Sequence, residues 1–200
     1  MSNKMYRQQL SYLYKWIKET KRKPILIRGA RQVGKSTLVH LLAEQSQLEL
    51  VELNFERNPE LVGLFKSNDP QKICQLISLQ TGKTIQNNTT LLFLDEIQEC
   101  PQAIVALRYF YEKFPELHVI AAGSLVEFAF KSNEFRMPVG RITFLFMGPL
   151  SFDEFLGALG FEKLRQYLAG VNISSGIDPL YEKELEKLLR KYLIIGGMPG

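Results

Sequence analysis

Cysteine and histidine are scarce in this sequence and widely separated along it. Among 200 residues there are two cysteines, Cys74 and Cys100, and two histidines, His40 and His118. None of the four stands at a metal-ligand or paired-cysteine spacing from another. The sequence therefore excludes a disulfide-stapled scaffold and a structural zinc domain. A reducing, cytoplasmic environment is expected.

Long apolar runs and a strong charge are missing as well. The longest apolar stretch, at 119–126, is far shorter than the roughly 20 residues that a membrane helix needs. The amino terminus is too polar for a signal peptide, so we expect no membrane association. With 25 basic and 21 acidic residues the net charge is +4, which is too small to indicate nucleic-acid binding by itself.

What the sequence does contain is a phosphate-binding loop. Residues 29–36 read Gly-Ala-Arg-Gln-Val-Gly-Lys-Ser, the full pattern G-x-x-x-x-G-K-[ST], between an apolar run at 24–27 and a helical stretch from 35 to about 45. Backbone N–H groups and the helix dipole hold phosphates in such a loop. Lys35 is expected to neutralise phosphate oxygens and Ser36 to ligate Mg²⁺. The predicted nucleotide-binding residues are Gly29, Ala30, Arg31, Gln32, Val33, Gly34, Lys35, Ser36 and Thr37.

Basic residues also cluster around this loop in the sequence. We expect their field to attract a polyanionic nucleotide, and a DNA-facing surface is the alternative interpretation. The residues are Lys21, Arg22, Lys23, Arg28, Arg31 and Lys35.

A pair of carboxylates follows the apolar run at 91–94. Such a run is typical of a strand buried on both faces of a parallel sheet. Ligands of these sheets bind beyond the carboxyl ends of the strands, so Asp95 and Glu96 are expected beside the loop. We predict that Asp95 holds Mg²⁺ through water and that Glu96 is the general base that polarises the attacking water. A solvated acidic turn is the alternative.

A third buried strand is expected at 117–122, and Ser124 follows it. At this strand end a hydroxyl would lie close to the γ-phosphate and could report its presence. Ser124 could equally cap a helix expected over 124–131, because serine is a preferred N-cap residue. The two roles are compatible.

Strands and helices alternate over the first three quarters of the chain. This pattern predicts an α/β fold with a parallel five-stranded sheet sandwiched by helices. We expect the helix that Asp69-Pro70 opens to bury Ile73, Leu76, Ile77 and Leu79. After Gly148 the pattern is helical only, and Ser151 and Glu154 form a capping box. The predicted division is a core at 1–148 and a helical lid at 149–200; a plain helical appendage fits the lid region equally well.

Six segments, in order, resemble prokaryotic AAA-type ATPases, which are related to the archaeal ATPases and the STAND signalling NTPases. The resemblance implies the AAA/ASCE fold, in which a strand inserts between the phosphate-loop strand and the strand that ends in Asp95. It also points to ATP, and the guanine-reading motif Asn-Lys-x-Asp does not occur. The matching segments are residues 28–37, 94–98, 122–125, 138–141, 148–155 and 196–199.

Two further site residues rest on this resemblance. Arg141 would be an arginine that reaches a γ-phosphate, in its own subunit or in a neighbouring one, with a plain surface arginine as the alternative. Pro199, in Gly-Gly-Met-Pro, would contact the adenine, although a helix stop uses the same residues. In this family a domain of nuclease-like fold normally follows the core, so we expect the chain to be a fragment of a longer protein.

The function predicted from these motifs is Mg²⁺-dependent ATP binding and hydrolysis coupled to a conformational change. A nucleotide-gated interaction switch with slow hydrolysis would use the same residues. Transfer of phosphate to a small molecule is disfavoured by Glu96, since such enzymes exclude water. A homo-oligomer, and a protein or DNA partner bound through the missing region, remain open from the sequence.

Overall fold

The computed structural model describes residues 7–124, 140–172 and 176–199. In these ranges the strands are β1 (Ile25–Arg28), β2 (Glu49–Asn54), β3 (Thr90–Asp95), β4 (His118–Gly123) and β5 (Thr143–Phe146). The α-helices are α1 (Gln9–Trp16), α2 (Lys35–Ser46), α3 (Pro70–Thr81), α4 (Pro101–Lys113), α5 (Phe152–Ala158), α6 (Glu162–Gly170) and α7 (Pro179–Ile195). Short 3₁₀ helices occur at Pro59–Phe65 and Ile97–Glu99.

The strands form one parallel sheet in the order β2-β3-β4-β1-β5. β4 lies between β1 and β3, as the resemblance implied. The chain leaves β1 for one edge of the sheet, returns through β3 and β4, and then continues to β5 on the other side of β1. The carboxyl end of β1 is therefore a switch point of the topology, where ligands bind in open α/β sheets.

The central strands are buried on both faces. All residues of β3 and β4 are buried, and so are the first three residues of β1. Alternate side chains of β3 enter two different cores, since Leu92 and Leu94 join one apolar cluster while Leu91 and Phe93 join the other. α3 and α4 cover the first cluster, and α1 and α2 cover the second. The predicted sheet with helices on both faces is confirmed.

The buried face of α3 is narrower than the sequence suggested. Ile73 and Ile77 are fully buried, whereas Leu79 is 82% exposed. The prediction for Leu79 was wrong because six residues turn a helix through about 600°, which puts Leu79 far around the helix from Ile73. Ile73 and Ile77 stand four residues apart and share one face.

The basic residues that precede β1 do not lie at the phosphate loop. Arg22 is buried, and its side chain donates to the carbonyl oxygens of Glu19 and Glu116 and to Asn88 Oδ1 at 3.1 Å. These contacts lie at the amino ends of the strands, while the loop lies at their carboxyl ends. The expected field of six basic residues around the loop was therefore wrong for Lys21, Arg22 and Lys23.

The three helices after β5 have a small apolar cluster of their own. Leu156, Leu164, Leu185 and Leu188 pack together there. The predicted capping box is present, with Ser151 Oγ accepting from the Glu154 amide and the Glu154 carboxylate accepting from the Ser151 amide. The division of the chain at residue 148 stays a prediction.

Glu154 also connects α5 to the amino-terminal part of the chain. Its carboxylate accepts from Arg7 Nη1 at 3.2 Å and from the Gln8 amide at 2.9 Å. Arg7 Nη2 donates to the Gly148 carbonyl at 2.7 Å. Arg7 and Glu154 are both buried. A buried ion pair thus holds the start of α5 to the core. Removing either partner is expected to destabilise the protein strongly, because the other charge is left buried and unpaired.

The helix predicted over 124–131 falls almost wholly outside the described residues. Pro138 and Val139, which precede Arg141 in one of the matching segments, lie outside them too, as does Leu125. In the part of the chain that is described, no helix is long and apolar enough to cross a membrane.

Candidate functional site

The phosphate loop joins β1 to α2 through backbone in the left-handed region. Gln32 has φ 63° and Gly34 has φ 90°. Left-handed residues alternating with right-handed ones turn successive N–H groups inward, which makes an anion-binding concavity. α2 begins at Lys35, so the unpaired N–H groups of its first turn face the same space. Val33 differs from its neighbours because its side chain is fully buried in the core, leaving only its backbone for a ligand.

Gly29 allows β5 to approach the start of the loop. A Cβ on Gly29 would lie 2.0 Å from the Met147 carbonyl oxygen, and the Met147 amide donates to the Arg28 carbonyl at 2.8 Å. The obstructing oxygen and carbon of the Met147 carbonyl belong to the backbone, so they cannot rotate away as a side chain would. Met147, directly after β5, thus packs against the start of the loop and fixes its position.

We expect Gly29→Ala to destabilise the protein by about 1–3 kcal/mol or more, the usual cost of forcing extra atoms into a packed site. Urea unfolding measures this loss. Gly63→Ala is the matched control, because a Cβ there meets nothing within 4 Å. Equal midpoints for the two variants would contradict the close approach described here.

Lys35 is buried at the bottom of the loop. Its Nζ donates to the carbonyl oxygens of Gly29 at 3.1 Å and Ala30 at 2.7 Å. Burial lowers the pKa of Lys35, while the carboxylates of Glu96 and Asp95 raise it. The ammonium is therefore within electrostatic range of both acids. Two carbonyl oxygens replace water around the ammonium. This burial is unfavourable for a cation unless an anion is also close to it.

Ser36 and Asp95 meet across the two motifs. Ser36 Oγ donates to Asp95 Oδ2 at 3.0 Å, although the residues stand 59 positions apart. Burial raises the pKa of Asp95, and the hydrogen bond from Ser36 lowers it. A hydroxyl and a carboxylate are hard oxygen donors of the kind that Mg²⁺ prefers, and Mg²⁺ is usually held by few protein ligands with waters and phosphates completing its shell. These side chains fit a magnesium site.

Asn54 is a site residue that the sequence analysis missed. It ends β2, where it is in register with Asp95, and its Nδ2 donates to Asp95 Oδ2 at 3.0 Å. Two donors therefore converge on one carboxylate oxygen and fix its direction. The available signal was a polar residue at the carboxyl end of a predicted strand, which is the edge where ligands bind.

Glu96 lies at the rim of the same space. Its amide donates to Asp95 Oδ1 at 3.1 Å, and its Oε2 accepts from Gln98 Nε2 at 2.7 Å. The cavity that Glu96 lines has a volume of about 550 Å³, which is in the range of small-molecule sites. The other lining residues are Arg31, Gln32, Gly34, Lys35, Ser36, Thr37, Glu56, Arg57 and Pro199.

Ser124 follows β4, between the ends of β1 and β3. Its Oγ is buried and has no hydrogen-bond partner within the described part of the chain. A buried hydroxyl without a partner is unfavourable and calls for an explanation. A γ-phosphate oxygen would supply a partner, so the predicted reporting role stays compatible with the geometry.

Arg141 lies at the opposite edge of the sheet. It precedes β5, whose first residue, Thr143, is in register with Ile25 at the amino end of β1. Its Nε donates to Glu112 Oε1, near the carboxyl end of α4, at 3.2 Å. The carboxyl end of β1 is a strand length away, about 13 Å for four residues. A contact with the phosphate of its own subunit is therefore not made in this arrangement. A contact with a neighbouring subunit stays a prediction.

The end of the described chain returns to the loop. Pro199 lines the cavity, and a Cβ on Gly34 would lie 3.7 Å from Pro199 Cγ. Gly197 O accepts from the Leu150 amide at 2.6 Å, and a Cβ on Gly197 would lie 2.3 Å from the Leu150 carbonyl oxygen. Tyr192 Oη donates to that same carbonyl at 2.7 Å. The segment 197–199 thus connects α7 to the nucleotide-sized cavity.

Comparison with known protein families identifies a match over more than half of the chain. A family model described as an AAA domain matches residues 21–156. The chain is 26% identical over 195 residues to the uncharacterized protein MJ1637 of Methanocaldococcus jannaschii, covering 92% of the chain and 40% of that relative. It is 29% identical over 98 residues to the replication factor C large subunit of Methanococcus maripaludis, covering 48% of the chain and 18% of that relative.

The solved structures to which the chain is similar include two proteins of low sequence identity. PCH-2 of C. elegans has a TM-score of 0.47 and 17% identity, covering 90% of this chain and 53% of that one. ORC2 of Aeropyrum pernix, solved as ADPNP–ADP complexes, has a TM-score of 0.45 and 18% identity, covering 79% and 49%. The chain spans about half the length of these structures and less than half of the curated relatives.

Proposed function

This chain belongs to the AAA domain family, and from that premise we propose that it binds Mg·ATP at the loop 29–37 and hydrolyses it. The observation that carries the proposal is the 3.0 Å hydrogen bond from Ser36 Oγ to Asp95 Oδ2. It brings the phosphate-loop motif and the acidic motif into one site. Hydrolysis needs both motifs, because the loop binds the phosphates while the acids hold the metal and activate the water.

In the proposed complex the triphosphate enters the concavity between Gly29 and Thr37. The Lys35 ammonium leaves the carbonyls of Gly29 and Ala30 and contacts phosphate oxygens instead. Amides of the loop and of the first turn of α2 donate to the same oxygens. Mg²⁺, held by Ser36 Oγ and by Asp95 through water, would neutralise charge that develops on the phosphates. Asn54 keeps the Asp95 carboxylate in the orientation that this requires.

The proposed hydrolysis uses Glu96 as the base. One carboxylate oxygen takes a proton from a water while the water oxygen forms a bond to the γ-phosphorus. The bond from the γ-phosphorus to the bridging oxygen breaks, and the products are ADP and inorganic phosphate. Glu96 lines the cavity, which supports its carboxylate as the base that takes this proton.

Coupling to a conformational change is proposed through Pro199. A nucleotide in the cavity would contact this residue. The segment that contains Pro199 is linked to α5 and α7 by the hydrogen bonds among Gly197, Leu150 and Tyr192. Nucleotide occupancy would therefore bias the position of these helices relative to the sheet. A nucleotide-gated switch with slow hydrolysis uses the same contacts and differs in turnover rate.

Homo-oligomerisation is proposed on the position of Arg141. Its side chain is half-exposed and paired with Glu112 at the sheet edge opposite the cavity. From there it could stabilise a transition state only in a neighbouring subunit, by exchanging Glu112 for a phosphate.

Calorimetric titration of Mg·ATP into the folded chain tests the proposal. We expect saturable heat with Mg·ATP and weaker binding when EDTA removes the metal, since Ser36 and Asp95 then have no cation to share with the phosphates. Release of inorganic phosphate in the same samples measures turnover. No heat from folded protein would overturn binding, and heat without phosphate release would favour the switch.

A further inference from the structure

Glu96 projects from a turn with an unusual backbone. Its φ and ψ are 51° and 48°, in the left-handed region that residues other than glycine seldom adopt. The turn is held by the Glu96 amide, which donates to Asp95 Oδ1, and by the Glu96 carbonyl, which accepts from the Glu99 amide at 3.0 Å. Strained backbone of this kind concentrates where a side chain must point in one direction. The backbone alone leaves the carboxylate free to rotate.

Gln98 removes that freedom. Its Nε2 donates to Glu96 Oε2 at 2.7 Å from the 3₁₀ helix Ile97–Glu99. A hydrogen bond to an ionised carboxylate is shorter and stronger than one between neutral groups. It occupies one oxygen of Glu96 and leaves the other to act on a water. Gln98 is therefore the side chain that fixes the orientation of the Glu96 carboxylate.

The other end of the Gln98 amide has no comparable contact. Gln98 Oε1 is buried and lacks a hydrogen-bond partner among the residues that the structure describes. The amide cannot flip to improve this, because its oxygen would then face the oxygen of Glu96. A buried acceptor without a partner costs stability. A side chain selected only for folding would avoid that cost, so the contact with Glu96 accounts for the amide better than packing does.

We infer that Gln98 is a positioning residue for the hydrolysis proposed above, and that it holds Glu96 Oε2 so that Oε1 receives the proton of the attacking water. The inference rests on the proposed function. Gln98 acts through Glu96 and binds neither nucleotide nor metal. Its removal is therefore expected to lower turnover without weakening nucleotide binding.

The experiment compares Gln98→Met and Gln98→Glu with the wild-type chain. Methionine keeps the length of the side chain without the amide, and glutamate keeps the shape and an acceptor but loses the donor. We expect kcat for Mg·ATP to fall about tenfold or more in both, a part of the 10²–10⁴ that a positioned base supplies. The Kd for Mg·ADP, measured by calorimetry, should stay within about twofold, because loss of a contact outside the phosphate loop removes no ground-state binding.

Thermal unfolding separates positioning from packing. Gln98→Met should have a Tm close to that of the wild type, since loss of the hydrogen bond to Glu96 is offset by removal of a buried acceptor that has no partner among the described residues. Glu99→Gln is the matched control: Glu99 stands on the same 3₁₀ helix, is exposed, and does not line the cavity. Its kcat, Kd and Tm should all match those of the wild type.

Each result decides the inference. An unchanged kcat in Gln98→Met or Gln98→Glu overturns it while the proposed ATPase function stands. A lowered Tm with parallel losses of binding and turnover assigns Gln98 a packing role and also overturns it. A wild-type chain that binds Mg·ATP and releases no phosphate rejects the proposed hydrolysis and this inference together.

Discussion

Lys35→Ala is expected to abolish detectable nucleotide binding. The ammonium is the buried cation of the cavity, and the loop carbonyls of Gly29 and Ala30 hold it where the phosphates would lie. Loss of one member of a buried charge pair costs roughly 2–5 kcal/mol, which corresponds to an increase in Kd of about 30-fold to several thousand-fold. Calorimetric titration with Mg·ATP and Mg·ADP measures the change.

The fold should survive this substitution. Burial lowers the pKa of Lys35, which means that the charged form is disfavoured in the nucleotide-free protein and contributes little to stability. A Tm close to that of the wild type would show that lost binding is a property of the site. Lys72→Ala is the control, because Lys72 is exposed on α3 and does not line the cavity. Tight binding by Lys35→Ala would place the phosphates elsewhere.

Glu96→Gln is expected to retain nucleotide binding and lose turnover. Glutamine has the same shape and still offers an oxygen to Gln98 Nε2, so the rim of the cavity is preserved. It cannot take a proton from water, and a positioned base contributes about 10²–10⁴ to the rate. Phosphate release under saturating Mg·ATP should fall by that factor, while the Kd for Mg·ATP stays near the wild-type value.

Two controls make the Glu96 result interpretable. Glu99→Gln makes the same chemical change at an exposed position of the neighbouring 3₁₀ helix and should leave turnover unaltered. Asp95→Asn should instead weaken the dependence of binding on Mg²⁺, since Asp95 and not Glu96 contacts Ser36. Full turnover by Glu96→Gln would remove Glu96 from the mechanism and leave the fold and the loop unaffected.

Much of the fold followed from local sequence patterns. The strands expected at 24–27, 91–94 and 117–122 are present, with ends that differ by one residue, and the insertion of β4 between β1 and β3 agrees with the family resemblance. The capping box of α5 was also correct, because both of its partners lie within four residues of sequence. The prediction that Leu79 is buried was wrong, because it considered the apolar character of the side chain without its angular position around the helix.

The candidate site was predicted in part. Ser36 and Asp95 were named from their motifs, and their contact follows from the rule that parallel strands present their carboxyl ends at one edge. Asn54, Gln98 and the orientation of Glu96 were not predicted. Gln98 ends the matching segment 94–98, but the resemblance gave it no role, and no motif includes Asn54; the importance of both comes from which carboxylate they contact. Their signal was position: Asn54 ends a strand, and Gln98 follows the acidic pair.

Sequence alone determined the chemistry that this protein can offer: a glycine-bearing loop, one lysine, one hydroxyl and two acids, each identified by residues close to it along the chain. Tertiary structure decided which groups meet, because the strand order brings distant segments together. It put Arg141 and Arg22 at the edge away from the loop and brought Pro199 up to Gly34. Such contacts depend on the long-range packing of strands and helices, so the local sequence around each residue does not predict them.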